Sequence, residues 1–369
     1  MVLFVLFCLF IAVVILQFLY YVVFFGKFSF NKAQKGTPKR IPISVIVCAK
    51  NEAENIQKLV PLLAEQDYPD YEIVLIDDAS CDETLDLFEA FEKQYAHVKL
   101  VKVENNEAFW GNKKFALTLG IKAAKHEYLL FTDADCYPTS NQWIKEMTGH
   151  FTQQKTIVLG YGAYEKSKGS FLNKIIRFET LLTATQYFAW AKLGKPYMGV
   201  GRNMAYKKEE FFRVRGFMDH MKLRSGDDDL FINQAGNGTN TTVCYTPESF
   251  TYSAPKTTYK AWFNQKRRHV STAQHYKGFD KFQLGLFYIT QLLFLILPII
   301  LLAFHYQWII VCSILGFRYL FSWITLGMAA GKLKEKDVMY FYPVIEIVLI
   351  VSQLNVSLTN LFSKPVHWK

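Results

Sequence analysis

The chain has 369 residues, of which 51% are hydrophobic, and a formal net charge of +10. That length leaves room for one large domain or two smaller ones with a substantial core. A basic balance suits nucleic acid when Lys and Arg alternate with aromatics on a soluble module, but the apolar blocks at both ends of this chain argue against that partner and assign the charge to anionic lipid.

Met1 to Phe25 carries no charge, and Gln17 is its one strongly polar residue, so it is long and apolar enough to cross a bilayer. It lacks the basic start, short apolar run and small-residue cleavage site of a signal peptide, and residues 1–26 are expected to be an uncleaved anchor. Lys27, Lys32, Lys35, Lys39 and Arg40 follow, and such an excess marks the cytoplasmic side. Six scattered cysteines (Cys8, Cys48, Cys81, Cys136, Cys244 and Cys312) form no Cys-x-x-Cys pair, as expected of reduced thiols in a cytosolic domain.

Residues 27–282 alternate β-branched runs with amphipathic stretches, which predicts an α/β sheet. Strands are expected at Ile43–Ala49, Tyr71–Ile76, Val98–Val103 and up to Asp133, with helices from Asn55 to about Gln66, from an Asp82 cap to Tyr95, and over Asn112–Ala124. Ligands of such sheets sit beyond the carboxyl ends of the strands, where Lys50, Asp77, Asp78, Asp133 and Asp135 fall. Asp133-Ala134-Asp135 offers two carboxylates at a turn. Oxygen ligands suit Mg²⁺ or Mn²⁺ and suggest a metal-bridged nucleotide diphosphate, although Asp is also common in ordinary turns.

Further on, Phe171 to Leu193 reads as an amphipathic helix lying at the membrane surface or facing a core. Asp227-Asp228-Asp229 repel one another and need water or a cation nearby, and a carboxylate there can serve as a general base. Residues 283–369 form a membrane region of two or three helices. Leu284–Phe304 and Trp308–Ala330 make a hairpin, followed by the basic Gly331-Lys332-Leu333-Lys334-Glu335-Lys336. Val338–Phe362 contains Pro343, Glu346, Gln353 and Asn355. As a span lining a cavity it leaves the basic Lys364–Lys369 end outside, and as a re-entrant helix it keeps that end inside.

Five ordered blocks between about residues 42 and 275 resemble family 2 glycosyltransferases, which are inverting, nucleotide-sugar-dependent enzymes with the GT-A fold: a mixed α/β sheet with flanking helices, joined here to transmembrane helices at both ends. Val45–Glu52 is similar to the opening strand and turn, which implies that Ala49 and Glu52 border the nucleotide, with Lys50 replacing the family's aromatic residue. Ile76–Thr84 resembles Asp-Asp-x-Ser-x-Asp-x-Thr, so Asp78 is expected to accept from a base imide. Uracil offers that N3–H and cytosine does not.

Gly111–Leu117 is similar to the Gly-Lys-x-x-Ala-Leu region and implies that Lys113 offsets diphosphate charge. Gly199–Ala205 resembles a segment lying below the acceptor. The Glu-Asp-x-Asp/Glu-Leu pattern fits in two registers, which place the base at Asp227 or Asp228. Gln265–His269 is similar to Gln-x-x-Arg-Trp, implying that Arg268 binds the leaving diphosphate and Gln265 orients donor or acceptor, with His269 in place of the Trp. Lys266, Arg267 and Arg268 read otherwise as a basic run meeting lipid headgroups. Asp133 and Asp135 are the implied metal ligands. Asp135 ligates directly in this reading, and Asp133 alternatively contacts the ribose or acts through the ion's shell.

The expected protein is therefore an integral inner-membrane enzyme with a cytoplasmic catalytic domain. It uses a nucleotide-diphosphate sugar, most simply UDP-linked, with Mg²⁺ or Mn²⁺, and a lipid or lipid-linked glycan as acceptor. A processive polysaccharide synthase and a non-catalytic membrane scaffold are the alternatives. The sugar, the acceptor, the linkage and the oligomeric state stay open.

Overall fold

The computed structural model describes residues 1–104, 113–223 and 225–363. Gly111 and Asn112 of the third block, and the basic end Lys364–Lys369, lie outside the described residues. The chain forms two interleaved compact units. Residues 32–166 and 194–255 make one, and residues 1–31, 167–193 and 256–369 make the other, a division that differs from the boundaries at 27 and 282 expected from sequence.

Among the described residues the first unit is built on ten strands: β1 (Ile43–Ala49), β2 (Tyr71–Asp77), β3 (Val98–Lys102), β4 (Tyr128–Asp133), β5 (Cys136–Pro138), β6 (Ile157–Leu159), β7 (Gly162–Tyr164), β8 (Met204–Lys207), β9 (Thr241–Val243) and β10 (Thr251–Ser253). Seven form a mixed sheet in the order β3-β2-β1-β4-β8-β6-β9, parallel from β3 to β4 and antiparallel where β8 joins β4 and β6. The apolar runs of β1 and β2 are buried almost throughout, as expected of parallel strands covered on both faces. Register then decides where the chemistry goes. Ala49 pairs with Asp77 and Cys48 with Asp133, so the ends of three parallel strands deliver their polar residues to one edge.

Helix Ala53–Ala64 follows β1 and helix Thr84–Gln94 follows β2. The second helix starts two residues after the expected Asp82 cap, because Asp82 Oδ1 accepts from Thr84 N at 3.0 Å while Oδ2 accepts from Ala53 N at 3.3 Å, tying the two turns together. Helix Lys113–Ala123 lies close against β2: a Cβ added at Gly120 would come within 2.1 Å of Ile76 Cδ1. A small sheet of order β5-β10-β7 fixes the chain just after Asp135.

Among the described residues, the second unit contains four helical segments long and apolar enough to cross a membrane by length and composition: Val2–Ser29, Gly278–Ala303, Trp308–Lys332 and Lys336–Phe362. Helix Phe171–Lys192 also belongs here, and most of its residues are buried, so it is a packed helix rather than one lying half-exposed on a surface. Its Arg177, 2% exposed, is held by Glu335 and by Asp337. The Glu346 carboxylate expected in the last apolar block is buried against Arg318 of the preceding helix, with N–O distances of 2.6 and 2.7 Å. Arg318 also donates to Gln17 and Tyr342 at 2.5 and 3.0 Å. Charges in apolar bundles are costly unless paired, and this pair accounts for both.

Candidate active site

Two turns at the ends of β1 and β2 brace each other. Asn51 adopts φ 55° and Ala79 φ 52°, left-handed conformations that are unusual for a residue with a Cβ and rarest for Ala here. Asn51 N donates to Ser80 Oγ at 3.1 Å, Cys81 N to Asn51 Oδ1 at 2.7 Å, and Glu52 N to Thr84 Oγ1 at 2.9 Å. Asp78 N donates to the Ala49 carbonyl at 2.9 Å, which joins two residues expected at the nucleotide. Burial raises the Asp78 carboxyl above its ordinary range, opposed by the Lys50 charge and reinforced by Asp77. Glu52 Oε2 accepts from Asn55 Nδ2 at 2.5 Å, so this carboxylate also has a local partner at the start of its helix.

Within the same unit, a pocket opens on the sheet face covered by helix Lys113–Ala123. Ile46, Phe131, Met204 and Phe217 give it apolar walls, and Lys113, Asp133 and Asp227 give it charge. Lys113 Nζ lies 2.7 Å from Asp133 Oδ1 and 3.0 Å from Asp227 Oδ2, so one ammonium bridges the end of β4 to the acidic cluster more than ninety residues later in the chain. Burial alone would lower the Lys113 pKa, but the two carboxylates raise it well above the usual lysine range.

Asp227 and Asp228 are neighbours with different surroundings. Burial works to raise Asp227, yet the Lys113 ammonium and its hydrogen bond hold that carboxyl below the usual range. Asp228 is pushed up to about 8 by burial and by the charges of Asp227 and Asp229. Both Asp228 oxygens accept backbone amides at 2.7 Å, Oδ2 from Gly201 N and Oδ1 from Asp229 N, where it caps helix Asp229–Ala235. The Asp228 side chain is thus engaged in holding the 199–203 turn, while Asp227 faces the pocket. Gly226, at φ 95°, supplies the reversal that separates them from the preceding chain. Asn203 is fully buried and structural: its Nδ2 donates to the Tyr161 and Ser249 carbonyls at 2.9 and 2.7 Å.

Asp133, Asp135 and Cys136 each present a ligand atom, and these lie within 4.8 Å of one another. The two carboxylates fit a hard divalent cation such as Mg²⁺ or Mn²⁺, and Asp135 is the exposed member. Cys136 was not among the residues expected from sequence, although its place directly after Asp135 is the signal. Its thiol is buried and donates to Asp135 Oδ1 at 3.4 Å. Arg202 was likewise missed inside the Gly-rich segment. It stacks on Tyr164 at 4.3 Å and donates to Ser253 Oγ at 2.9 Å, which couples this turn to β7 and β10.

Gln265 and Arg268 lie on helix Tyr259–Ala273 of the other unit. Burial lowers the Arg268 pKa, and Gln265 Oε1 is buried with no hydrogen-bond partner among the described residues. Their neighbours in the basic run are committed within the protein. Lys266 pairs with Glu179 at 2.8 Å and Arg267 bonds Asn360 Oδ1 at 2.8 Å, so these two are not free to meet lipid headgroups.

Comparison with known proteins agrees with this architecture. Residues 44–220 match the model of Glycosyl transferase family 2. A probable glycosyltransferase of Bacillus subtilis, YdaM, is 24% identical over 374 residues, covering 89% of this chain and 86% of its own length. The poly(ribitol-phosphate) beta-glucosyltransferase of Bacillus spizizenii is 32% identical over 120 residues, which are 32% of this chain and 18% of that protein. Uncharacterized glycosyltransferase EpsJ of Bacillus subtilis is matched over 64% of its length at 22% identity. Among solved structures, the mannosyltransferase PcManGT from Pyrobaculum calidifontis, in complex with GDP-Man and Mn²⁺, superposes with a TM-score of 0.59 at 19% identity, over 96% of this chain and 99% of its own. That likeness establishes the GT-A fold.

Proposed function

We propose that this chain, whose residues 44–220 match the model of Glycosyl transferase family 2, is an enzyme of that family that transfers one sugar, with inversion, from a nucleoside-diphosphate donor to a lipid or lipid-linked acceptor at the cytoplasmic face of a membrane. The observation that carries this reading is the Lys113 bridge between Asp133 and Asp227, which gathers a donor-side carboxylate and an acceptor-side carboxylate into one pocket. The four apolar helices support membrane anchoring.

Asp78 accepts a hydrogen bond from the imide of a uracil base, and the Ala49 and Glu52 turn borders the nucleotide. Asp133 and Asp135 would hold Mg²⁺ or Mn²⁺, which when bound neutralises charge on the departing diphosphate. Lys113 adds cationic stabilisation to that leaving group. Asp227 takes the proton of the acceptor hydroxyl onto a carboxylate oxygen as that hydroxyl attacks the anomeric carbon. A carboxylate held ionised beside Lys113 and lining the pocket suits that task better than Asp228, whose oxygens hold the Gly201 and Asp229 amides.

Full-length protein in lipid nanodiscs, supplied with single UDP- and GDP-sugars, lipid extract and Mn²⁺ or Mg²⁺, tests the proposal by mass analysis of the lipids and by nucleotide release. One added sugar per lipid is expected, and Asp135→Ala should abolish nucleotide release and the Mn²⁺ electron-paramagnetic signal of the bound ion. A ladder of products would establish a polymerising synthase instead. Absence of any nucleotide release would point to a scaffold, and full turnover in Asp135→Ala would refute the metal assignment.

A further inference from the structure

Lys114 is 1% exposed, one residue beyond Lys113 and about 100° further round the same helix. Its Nζ donates to three backbone carbonyls: His220 at 2.8 Å, Leu223 at 3.0 Å and Ser225 at 2.7 Å. An ammonium has three protons, and each has an acceptor. Burial pushes the Lys114 pKa down to about 8, with Asp227, Asp229 and Asp228 working in the other direction, so the group is still charged at neutral pH.

The carbonyls it gathers belong to the stretch leading into Gly226 and the acidic cluster. Among its described residues that stretch has little regular structure to hold it: a 3-10 turn at Met218–His220 is flanked by residues in left-handed conformation at Arg215 (φ 59°), Gly216 (φ 61°) and Gly226 (φ 95°). Burying a lysine is costly, and a methionine would fill the same slot without that cost. The chain nevertheless places a cation there, and only a donor with several protons can tie three carbonyls separated in sequence to one point.

The geometry points to Lys114 as a positioning residue of the transfer reaction: it gathers the backbone ahead of Gly226 around one atom and so aims Asp227 into the pocket that Lys113 and Asp133 line. This rests on the reading of Asp227 as the base. Adjacent lysines then divide the work. Lys113 touches the carboxylate, and Lys114 fixes the backbone that carries it.

The experiment compares full-length wild type, Lys114→Met, Lys114→Gln and Asp227→Asn in nanodiscs, measuring donor Kd by calorimetry, kcat and acceptor KM for transfer, and amide exchange across the 217–230 peptides. Since a misplacement of about 1 Å costs on the order of 100-fold, Lys114→Met should lower kcat by about 10- to 100-fold. Donor Kd should stay within about threefold of wild type, and exchange should rise in the 217–230 peptides alone. Lys114→Gln, which keeps two donors on a shorter stem, should fall between, and it carries the test if the Met variant does not fold. A kcat within about threefold of wild type in Lys114→Met, or an equal loss in donor affinity, overturns the inference. Wild-type transfer by Asp227→Asn overturns the base reading and this inference with it, whereas an inactive Asp227→Asn beside a fully active Lys114→Met overturns this inference alone.

Discussion

Replacing Asp227 with Asn removes the proton acceptor proposed for the incoming hydroxyl while keeping its size. General-base catalysis contributes on the order of 10²- to 10⁴-fold, which is about 2.7–5.4 kcal/mol of barrier, so transfer at saturating substrates should fall by that factor. The fold should hold, because Lys113 keeps Asp133 at 2.7 Å and its ammonium is not stranded when the 3.0 Å pair with Asp227 is lost. Asp228→Asn should behave in the opposite sense. The Gly201 and Asp229 amides would share one oxygen instead of two, at a cost on the order of 1 kcal/mol in stability, with a smaller loss of transfer. Initial rates of nucleotide release with and without acceptor, together with thermal melts in nanodiscs, separate the two. An Asp227→Asn enzyme within threefold of wild type beside an inactive but folded Asp228→Asn would exchange their roles.

Other expectations concern different parts of the molecule. The Asp228 pKa is raised from 3.8 to about 8, so the folded state favours its protonated form; this contribution is full below about pH 4 and is lost as pH rises through about 8. Melts of wild type and Asp228→Asn from pH 4 to 9 should therefore converge, or cross in favour of the variant, at the alkaline end, and a constant difference would contradict the assignment. Arg318→Met alone should destabilise by about 3–5 kcal/mol by stranding the buried Glu346, and adding Glu346→Leu should recover most of that; a denaturation cycle in detergent showing additive losses would refute the pairing. Arg267→Ala should loosen the last helix, read as faster proteolysis near Asn360, because its guanidinium bonds Asn360 and Ser363.

The strands and the carboxylates at their ends were legible because parallel strands buried on both faces leave continuous apolar runs, and whatever polar residue ends such a run must fall at the ligand edge. Asp78, Asp133 and Asp135 follow from that alone. What sequence did not convey was rotation and partnership. Lys113 and Lys114 are the same letter, and only the turn of the helix sends one to carboxylates and the other to carbonyls. Glu346 read as an isolated acid in an apolar block because its partner, Arg318, is 28 residues earlier on another helix. Asp82 was expected to cap its helix, but its oxygens serve two turns at once, a choice made by tertiary proximity of the β1 and β2 ends. The helix Phe171–Lys192 shows the same limit, since an amphipathic pattern does not say whether lipid or protein covers the apolar side.

The Arg318–Glu346 pair also bears on how the chain is made. In the membrane arrangement proposed above, the helix carrying Arg318 leaves the ribosome before its partner does. Insertion of a lone arginine near the middle of a helix costs about 2.5–3.5 kcal/mol. At about 5–20 residues per second, the 28 residues to Glu346 take roughly 1–6 s to synthesise. For that interval the Trp308–Lys332 helix is a poor substrate for lipid and has reason to wait inside the insertion machinery. The final helix is then an insertion partner as much as an anchor, and a stop codon between the two residues would release an unpaired charge to quality control.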